Sequence, residues 1–465
     1  MSELTMFDKI WDEHVVCELA PGVDLLHVDR HYLHDLGGGD ALGQISAKGY
    51  EVRNSNLTFA TADHAVETRP GRIGGIAPWA DHLIDILRSR SAIARIRMFD
   101  VNDQGQGIVH VAGPELGLTL PGTTVVCGDS HTCAHGAFGS IAFGIGASDI
   151  QHVLATQALP QRRPKNMKVE FVGDLPVGVG AKDMALALIG QIGTGGATGH
   201  AIEFAGPAID AMGMEDRMTI CSLAIEAGAK TGMIVPDETT FAWLHGRRYA
   251  PHKQHWERAL AFWRSVASEA DAKYDAIVTV NCHHLAPHVT WGTSPEHVIR
   301  IDERLPMLDQ ARDEAQRRAW EDAMKYMGFS QGQKLEGTRI DRVFIGSCTN
   351  SRITDLRRAA RIVEGRKVAS HVEGWVVPGS METKAVAEAE KLDQVFRAAG
   401  FQWREPGCSM CGAANGEIVS PGQRCISTTN RNFMGRQGPG SRTHLASPEM
   451  AAAAAVAGCI VDARS

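Results

Sequence analysis

The chain contains the stretch VFIGSCTNSR at residues 343–352, where a short apolar run is followed at once by small and polar residues. The same pattern occurs where TTVVC at residues 123–127 leads into GDSHT and where WVV at residues 375–377 leads into PGS. Such runs indicate buried strands, and residues 149–158 and 354–364 have the apolar spacing typical of helices. Short buried strands that alternate with helices predict α/β domains with mainly parallel sheets. In such sheets, ligands bind beyond the carboxyl ends of the strands, where these polar motifs would lie.

Two segments suggest where the chain divides. The glycine-rich stretch at residues 193–200 is typical of a flexible junction, and the polar stretch at residues 304–338 is typical of a helical connector. A chain of 465 residues is long enough for several domains. We therefore predict three α/β domains, at residues 1–192, 193–300 and 301–465.

Composition excludes several classes of protein. The chain has 47 Lys and Arg against 54 Asp and Glu, a formal net charge of −7, which disfavours a general binder of nucleic acid or anionic membranes. Ten cysteines are too few for a disulfide scaffold of this length. The N-terminal stretch lacks a basic segment followed by an apolar run, and no apolar run is long enough to span a membrane. These features predict a cytoplasmic protein whose cysteines are thiols, metal ligands or core residues.

Three cysteines are placed as a ligand set would be. Cys408 and Cys411 form a C-x-x-C motif, and Cys348 lies 60 residues before Cys408 in its own glycine-flanked loop. The spacing allows a redox dithiol, which would normally open a helix in a thioredoxin-like unit. It also allows a structural zinc site, although the usual second ligand pair is missing. The third interpretation is an iron–sulfur cluster held by three thiolates, with one iron left open.

Five motifs, in order along the chain, resemble those of the aconitase superfamily. The similarity runs from about residue 7 to about residue 458. The motifs are GIVH at 107–110, GDSHT at 128–132, GSCTNS at 346–351, PGCSMC at 406–411 and NRNFMGR at 430–436.

Within the superfamily the chain is similar to the large subunits of isopropylmalate isomerases. The segments that carry this likeness are DRH at 29–31, TFATADH at 58–64, DSHT at 129–132 with HGAFG at 135–139, and RTHL at 442–445. The resemblance implies an aconitase-like fold, with three α/β domains around a cluster cleft.

The resemblance also implies the cofactor and the reaction. Cys348, Cys408 and Cys411 would hold one [4Fe-4S] cluster per subunit, and its open iron would act as a Lewis acid. The reaction implied is the isomerisation of 2-isopropylmalate to 3-isopropylmalate by dehydration and rehydration through isopropylmaleate, a step of leucine biosynthesis. Among the remaining cysteines, Cys425 is the one that could alter a three-ligand count.

Further site residues follow from the same motifs. A carboxylate beside a histidine fixes the tautomer of the ring and raises its basicity, which suits proton transfer. A substrate with two carboxylates suits arginine residues, because a guanidinium can bind a carboxylate through two parallel hydrogen bonds. The implied assignments are Asp63 and His64 as the acid pair, Asp129, His131 and His110 as groups that arrange the site and its water, Glu226 near the cluster, and Ser130, Arg431 and Arg436 as ligands of the dicarboxylate substrate. We interpret His34, His152 and His283 as surface or core histidines.

The family's swivel domain carries the catalytic serine, and the sequence stops before such a domain. The resemblance therefore implies a small-subunit partner that carries both, and it implies neither nucleic acid nor a membrane as partner. Ser222 stands where the family usually has Asn, and Gly412 begins a stretch of smaller residues than usual. A paralogue that acts on citraconate, dimethylmaleate or another alkylmalate thus stays open. Some relatives bind RNA without their cluster, but the net charge of −7 disfavours that alternative.

Overall fold

The computed structural model of the protein describes residues 3–465. Residues 1 and 2 lie outside the described range. They belong to the N-terminal stretch in which the sequence predicts no signal peptide. The strands in the described part are β1 Val15–Ala20, β2 Val23–His27, β3 Arg30–His34, β4 Thr58–Thr61, β5 Arg97–Phe99, β6 Thr124–Cys127, β7 Ile141–Gly144, β8 Ala158–Arg162, β9 Lys165–Val172, β10 His200–Ala205, β11 Thr231–Met233, β12 Ala276–Asn281, β13 His288–Thr290, β14 Val298–Arg300, β15 Arg342–Ile345, β16 Glu373–Val376, β17 Gln402–Trp403, β18 Arg424–Ser427 and β19 Arg442–Leu445. The α-helices there are α1 Met6–His14, α2 Gly38–Ala47, α3 Pro78–Ile93, α4 Val109–Glu115, α5 Ala147–Thr156, α6 Ala181–Ile192, α7 Pro207–Asp210, α8 Met214–Ser222, α9 Glu238–Leu244, α10 Gln254–Ser265, α11 Glu314–Met327, α12 Ile353–Val363, α13 Met381–Ala389, α14 Leu392–Ala399 and α15 Pro448–Ala457.

The predicted α/β fold with mainly parallel sheets is confirmed. The predicted strands at residues 123–127, 343–345 and 375–377 correspond to β6, β15 and β16, and the two predicted helices correspond to α5 and α12. Every residue of β6 and β15 is buried, as expected for strands that are covered on both faces of a parallel sheet.

The chain divides into two compact units. Unit 1 consists of residues 1–66, 73–172 and 197–280, and unit 2 of residues 67–72, 173–196 and 281–465. One change of unit, after residue 196, lies within the glycine-rich stretch at residues 193–200. The division into three domains at residues 1–192, 193–300 and 301–465 stays a prediction.

Unit 1 contains a five-stranded sheet in the order β5-β4-β3-β6-β7, and all of its strand pairs are parallel. Because β3 lies between β4 and β6, the loops that follow these three strands leave neighbouring points of one sheet edge. A second sheet, in the order β11-β10-β9-β12, and the antiparallel sheet of β1, β2 and β8 complete the unit. Apolar residues of α1, α2 and α5 pack with the five-stranded sheet in one core cluster.

Unit 2 contains the other five-stranded sheet, in the order β17-β16-β15-β18-β19, again with all strand pairs parallel. Helices α11, α12, α14 and α15 bury apolar side chains against it. Strands β15 and β18 are neighbours, so the loops after Ile345 and after Ser427 leave the same edge side by side. Among the described residues, no helix combines the length and the apolar character that crossing a membrane requires.

Candidate functional site

A cluster of carboxylates and histidines lies at the carboxyl edge of the unit 1 sheet. Asp63 and His64 follow β4, and Asp129 follows β6. Asp129 caps the 3₁₀-helix Ser130–Phe138, where its side chain accepts a hydrogen bond of 2.6 Å from the backbone N–H of His131. The short segments between strand and polar motif therefore place these side chains at one edge of the sheet.

His64 lies between two carboxylates. Its Nδ1 is 2.6 Å from Asp63 Oδ1, and its Nε2 is 3.3 Å from Asp129 Oδ2. Asp63 is fully buried and also accepts the backbone N–H of Val109 at 3.0 Å. Burial raises the pKa of Asp63, but the charge of His64 and these hydrogen bonds outweigh it and hold the pKa below its ordinary value. A ring with a carboxylate at each nitrogen is well placed to hold and deliver a proton.

His110 connects Asp129 to a buried hydrogen-bond chain. Its Nε2 is 3.3 Å from Asp129 Oδ1, and its Nδ1 is 3.0 Å from His135 Nε2. The Nδ1 of His135 is 2.7 Å from the Thr119 hydroxyl, which lies 3.2 Å from Tyr32 Oη. Such a chain fixes the orientation of each ring in turn. His135 is a member of the cluster that the sequence assignment left out.

His131 also lies between two acids. Its Nε2 is 2.9 Å from Glu226 Oε1, and its Nδ1 is 3.4 Å from Asp129 Oδ1. Burial lowers the pKa of His131, but its hydrogen bonds to Asp129 and Glu226 outweigh it and leave the pKa raised. Burial raises the pKa of Asp129 too, yet the hydrogen bonds to His110, His131 and His64 hold it well below its ordinary value. The arrangement favours an ionised Asp129 beside a charged imidazolium.

Two residues at the carboxyl end of β3 join the same cluster, since His34 is the last residue of the strand and Asp35 follows it. The rings of His34 and His64 lie with centroids 4.6 Å apart, although the sequence interpretation gave His34 no functional role. Asp35 accepts the backbone N–H groups of His64 at 3.0 Å and Ala65 at 2.7 Å, and so fixes the start of that loop. The signal that could have indicated both residues is their position at the carboxyl end of a strand that pairs with β4. His152 and His283 are exposed, in agreement with the structural role expected of them.

The three predicted cysteine ligands all lie in loops of unit 2. Cys348 lies three residues after β15, and Cys408 and Cys411 belong to one turn, in which the Cys411 N–H bonds the Cys408 carbonyl at 2.9 Å. Cys348, Cys408 and Cys411 keep 6%, 8% and 6% of their surface exposed, whereas Cys425 is completely buried. The three predicted ligands are therefore buried but keep a small exposed surface, which Cys425 lacks.

Polar groups converge on two of these sulfurs. The Ser347 hydroxyl is 3.1 Å from Cys411 Sγ, and the Asn430 side-chain amide donates to Cys348 Sγ at 3.5 Å. A guanidinium nitrogen of Arg436 lies 4.0 Å from Cys411 Sγ. Such donors stabilise the thiolate form that a metal requires. The Cβ of a larger residue at Gly412 would lie 3.4 Å from Arg436, an ordinary contact distance, so the backbone here would also accept the larger residue usual in the family.

The backbone is strained beside the cysteines. The φ angles of Ser347, Ser409 and Ala413 are 78°, 49° and 53°. These values lie in the left-handed region, which residues other than glycine rarely adopt. Conformations of this kind concentrate at functional sites, where the surrounding structure holds them in place.

A buried ion pair holds the turn that contains Cys408. Arg404 donates to Glu417 Oε1 at 2.6 Å, and the hydroxyl groups of Ser409 and Thr68 both bond Glu417 Oε2. Arg404 also lies over the ring of Trp375 at 3.7 Å. Burial raises the pKa of Glu417, but the charge of Arg404 and the hydrogen bonds outweigh it and keep the pKa below its ordinary value. The carboxylate thus fixes Ser409, the neighbour of Cys408.

Replacing Glu417 with glutamine is expected to lower the free energy of unfolding at neutral pH by about 3 kcal/mol, because Arg404 is left buried without its counterion. The lowered pKa means that this contribution is complete above about pH 4.5 and is lost as the pH falls through the folded-state value. Denaturant titrations from pH 7 down to about pH 3 measure both effects. Glu390→Gln, at a surface pair with Arg357, is the control and should change little. An equal loss of stability at pH 7 and at about pH 3 would contradict the assignment.

Cys425 does not have the character of a ligand. It lies in β18 with its thiol directed to the Ile426 carbonyl at 3.4 Å, and burial raises its pKa to about 12. The C-x-x-C motif itself lies in the 3₁₀ turn Ser409–Cys411 and opens no α-helix before β18. The thioredoxin-like interpretation requires such a helix, so this geometry counts against it.

The two arginines of the 430–436 motif follow β18. Arg431 and Arg436 are both half-buried. Among the described residues, Arg436 has no carboxylate within ion-pair distance, and its Nε has no hydrogen-bond partner. A cation without a counterion beside Cys411 is suited to bind an anionic ligand.

Ser130, the remaining predicted substrate ligand, lies in unit 1. Its hydroxyl is 3.4 Å from His131 Nδ1.

Comparison with known proteins identifies the family. A model of the aconitase family (aconitate hydratase) matches residues 8–458. The chain belongs to the aconitase family. It is 56% identical over 461 residues to the 3-isopropylmalate dehydratase large subunit 1 of Bradyrhizobium diazoefficiens, an alignment that covers 99% of this chain and 96% of that protein. Among solved structures, the holo form of aconitase X from Thermococcus kodakaraensis matches 92% of this chain and 89% of its own, with a TM-score of 0.47 and 11% identity.

Family membership confirms the resemblance found in the sequence motifs, and it implies an iron–sulfur cluster. The residues of unit 2 fit such a group. The thiols of Cys348, Cys408 and Cys411 keep a small exposed surface, and hydrogen-bond donors lie beside two of their sulfurs. The thiol of Cys425 points to a backbone carbonyl instead.

Proposed function

We propose that this chain is the large subunit of a hydro-lyase that isomerises 2-isopropylmalate to 3-isopropylmalate. The observation that carries the proposal is the 56% identity over 99% of the chain to a large subunit of 3-isopropylmalate dehydratase. In this reaction a hydroxyl group leaves the carbon that bears the isopropyl group and a proton leaves the neighbouring carbon. Water then adds to isopropylmaleate in the opposite sense. The reaction is a step of leucine biosynthesis.

Cys348, Cys408 and Cys411 are proposed as the ligands of one [4Fe-4S] cluster per subunit. When bound, the cluster supplies a Lewis-acid iron that weakens the bond to the leaving hydroxyl. The hydrogen bonds from Ser347 and Asn430 support the thiolate form of two of these ligands. The lone cation of Arg436 supports a role for this residue, together with Arg431, in binding the substrate carboxylates.

The acid–base part of the reaction is assigned to unit 1. His64, oriented by Asp63, gives a proton to the leaving hydroxyl and takes one from water in the return step. Asp129, His110 and His131 hold that water and the ring of His64, Glu226 fixes His131, and Ser130 binds a substrate carboxylate. The carboxylates that lie 2.6 Å from one nitrogen of His64 and 3.3 Å from the other support this division of roles.

The base that removes the carbon-bound proton is proposed to be a serine of a small-subunit partner, which also carries the swivel domain. The relative's designation as a large subunit supports the existence of such a partner. The small dicarboxylate is the other partner, and no role in binding nucleic acid or membranes is proposed.

We expect the purified chain to be inactive alone, because each isolated subunit lacks part of the acid–base machinery. It should gain activity when it is co-expressed with the small subunit. Formation of isopropylmaleate, followed by its ultraviolet absorbance under anaerobic conditions, measures this. Citraconate and dimethylmaleate serve as comparison substrates, and the isopropyl compound should be preferred by about tenfold or more, since each missing methylene in an apolar pocket costs at least that factor. Full turnover by the large chain alone would contradict the two-subunit proposal. A preference for citraconate would reassign the substrate.

A further inference from the structure

Unit 1 contains a cavity whose charged side chains have no part in the proposed acid–base roles. Its volume is about 780 Å³, within the size range of small-molecule sites. Ser130 lines one edge, and Ile225, the neighbour of Glu226, lines another. The cavity therefore reaches two segments that carry proposed site residues.

The side chains that line this cavity include cations but no acid. Its charged members are Arg162, Arg163 and Lys230, and glycine backbone contributes much of the remaining wall. Ile145, Ile225 and Pro164 add apolar surface. A lining of this kind suits a ligand with negative charges and an apolar branch.

In the described part of the chain, two of the three cations have no carboxylate within ion-pair distance. Arg163 is neutralised by Asp8 at 2.7 Å and Asp12 at 2.6 Å. Lys230 Nζ lies 4.3 Å from the centroid of the Phe143 ring, and within the described range no carboxylate lies within ion-pair distance of it or of Arg162. Burial lowers the pKa of Lys230, while Asp149 acts on it only at longer range. A half-buried ammonium held by a ring alone leaves its hydrogen-bond donors available to a ligand.

We propose that this cavity first captures the alkyl-bearing dicarboxylate of the proposed reaction, before it binds at the carboxylate site assigned to Arg431 and Arg436. In this captured state Lys230 and Arg162 hold its carboxylates and Ile225 contacts its alkyl group. This inference rests on the proposed function and goes beyond it, because neither cation belongs to the motifs that suggested the site. Unpaired positive charge at a cavity mouth raises the local concentration of a dianion and speeds its association, an effect that salt screens.

The test uses the two-subunit holoenzyme with 2-isopropylmalate as substrate. Lys230→Met should raise KM roughly fivefold with kcat within about twofold, and it should flatten the dependence of kcat/KM on ionic strength. Lys230→Arg, which keeps the charge, should remain close to wild type. Lys48→Met is the matched control, since Lys48 is exposed, lies in the same unit and donates a surface hydrogen bond to the Gln151 side chain at 3.0 Å. Thermal melting of each variant reports on folding.

Two outcomes overturn the capture site while the wild type remains active. In the first, Lys230→Met and Lys48→Met show the same KM and the same salt dependence. In the second, KM is unchanged but more small subunit is needed for half-maximal activity, which would make the cavity a docking site for an acidic segment of the partner. An inactive wild-type holoenzyme would instead remove the proposed function, and the capture site with it.

Discussion

Cys408→Ser is expected to abolish the bound iron and to lower kcat by roughly a thousandfold or more. The proposed cluster has only three protein ligands, so the loss of one leaves two, and the serine hydroxyl is a poor replacement for a thiolate. A Lewis-acid metal contributes several kcal/mol of charge stabilisation, which corresponds to a factor of this size. Iron and acid-labile sulfide content after anaerobic reconstitution, with electron paramagnetic resonance, measures the first effect independently of activity.

Cys425→Ala is the matched control for this experiment. Cys425 is a buried thiol of the same unit, but its sulfur is directed to a backbone carbonyl and its pKa is raised. We expect this variant to keep its iron and most of its activity, with a moderate loss of stability from the small cavity. Full iron content in Cys408→Ser, or zinc in place of iron in the wild type, would contradict the three-ligand assignment.

Local sequence was sufficient to predict the strands and the polar loops at their ends. The runs at residues 123–127 and 343–345 are apolar and followed by glycine, and both form fully buried strands in parallel sheets. What the sequence did not contain was the order of the strands. His34 ends β3 and Asp35 follows it, and only the pairing of β3 with β4 brings them beside His64. Strand order depends on contacts between distant residues, which no local pattern records.

The cysteines illustrate the same limit from another side. Spacing alone allowed a dithiol, a zinc site or a cluster, because all three use thiolates a few residues apart. The structure adds the conformation of the C-x-x-C turn and the approach of Asn430, which lies after β18 and reaches Cys348 because β15 and β18 are neighbours. His135 lies in the motif HGAFG at residues 135–139, but the sequence alone indicates no role for it. Its contact with His110 depends on packing between a helix and a 3₁₀ turn.

Asp129→Asn is expected to lower kcat by roughly a thousandfold while leaving the iron content of the holoenzyme unchanged. Asp129 is the carboxylate that His64, His110 and His131 share, so its loss disturbs both the proposed acid and the groups that orient it. General acid–base catalysis contributes factors of this order. Retained iron distinguishes this variant from Cys408→Ser, in which cofactor and activity are lost together.

The pH dependence gives a second, independent readout for this variant. Asp129 contributes to the raised pKa of His131, so its removal should lower that pKa and move any limb of the rate profile that reports His131 toward lower pH. The pKa of Asp129 itself lies well below the working range, so the loss of rate should persist at every pH from 6 to 9 rather than appear only in acid. Asp40→Asn is the control for the charge change, because Asp40 is an exposed residue in the first turn of α2. A variant that recovers wild-type kcat at high pH would show that Asp129 acts only through the net charge of the cluster, and not by orienting His64.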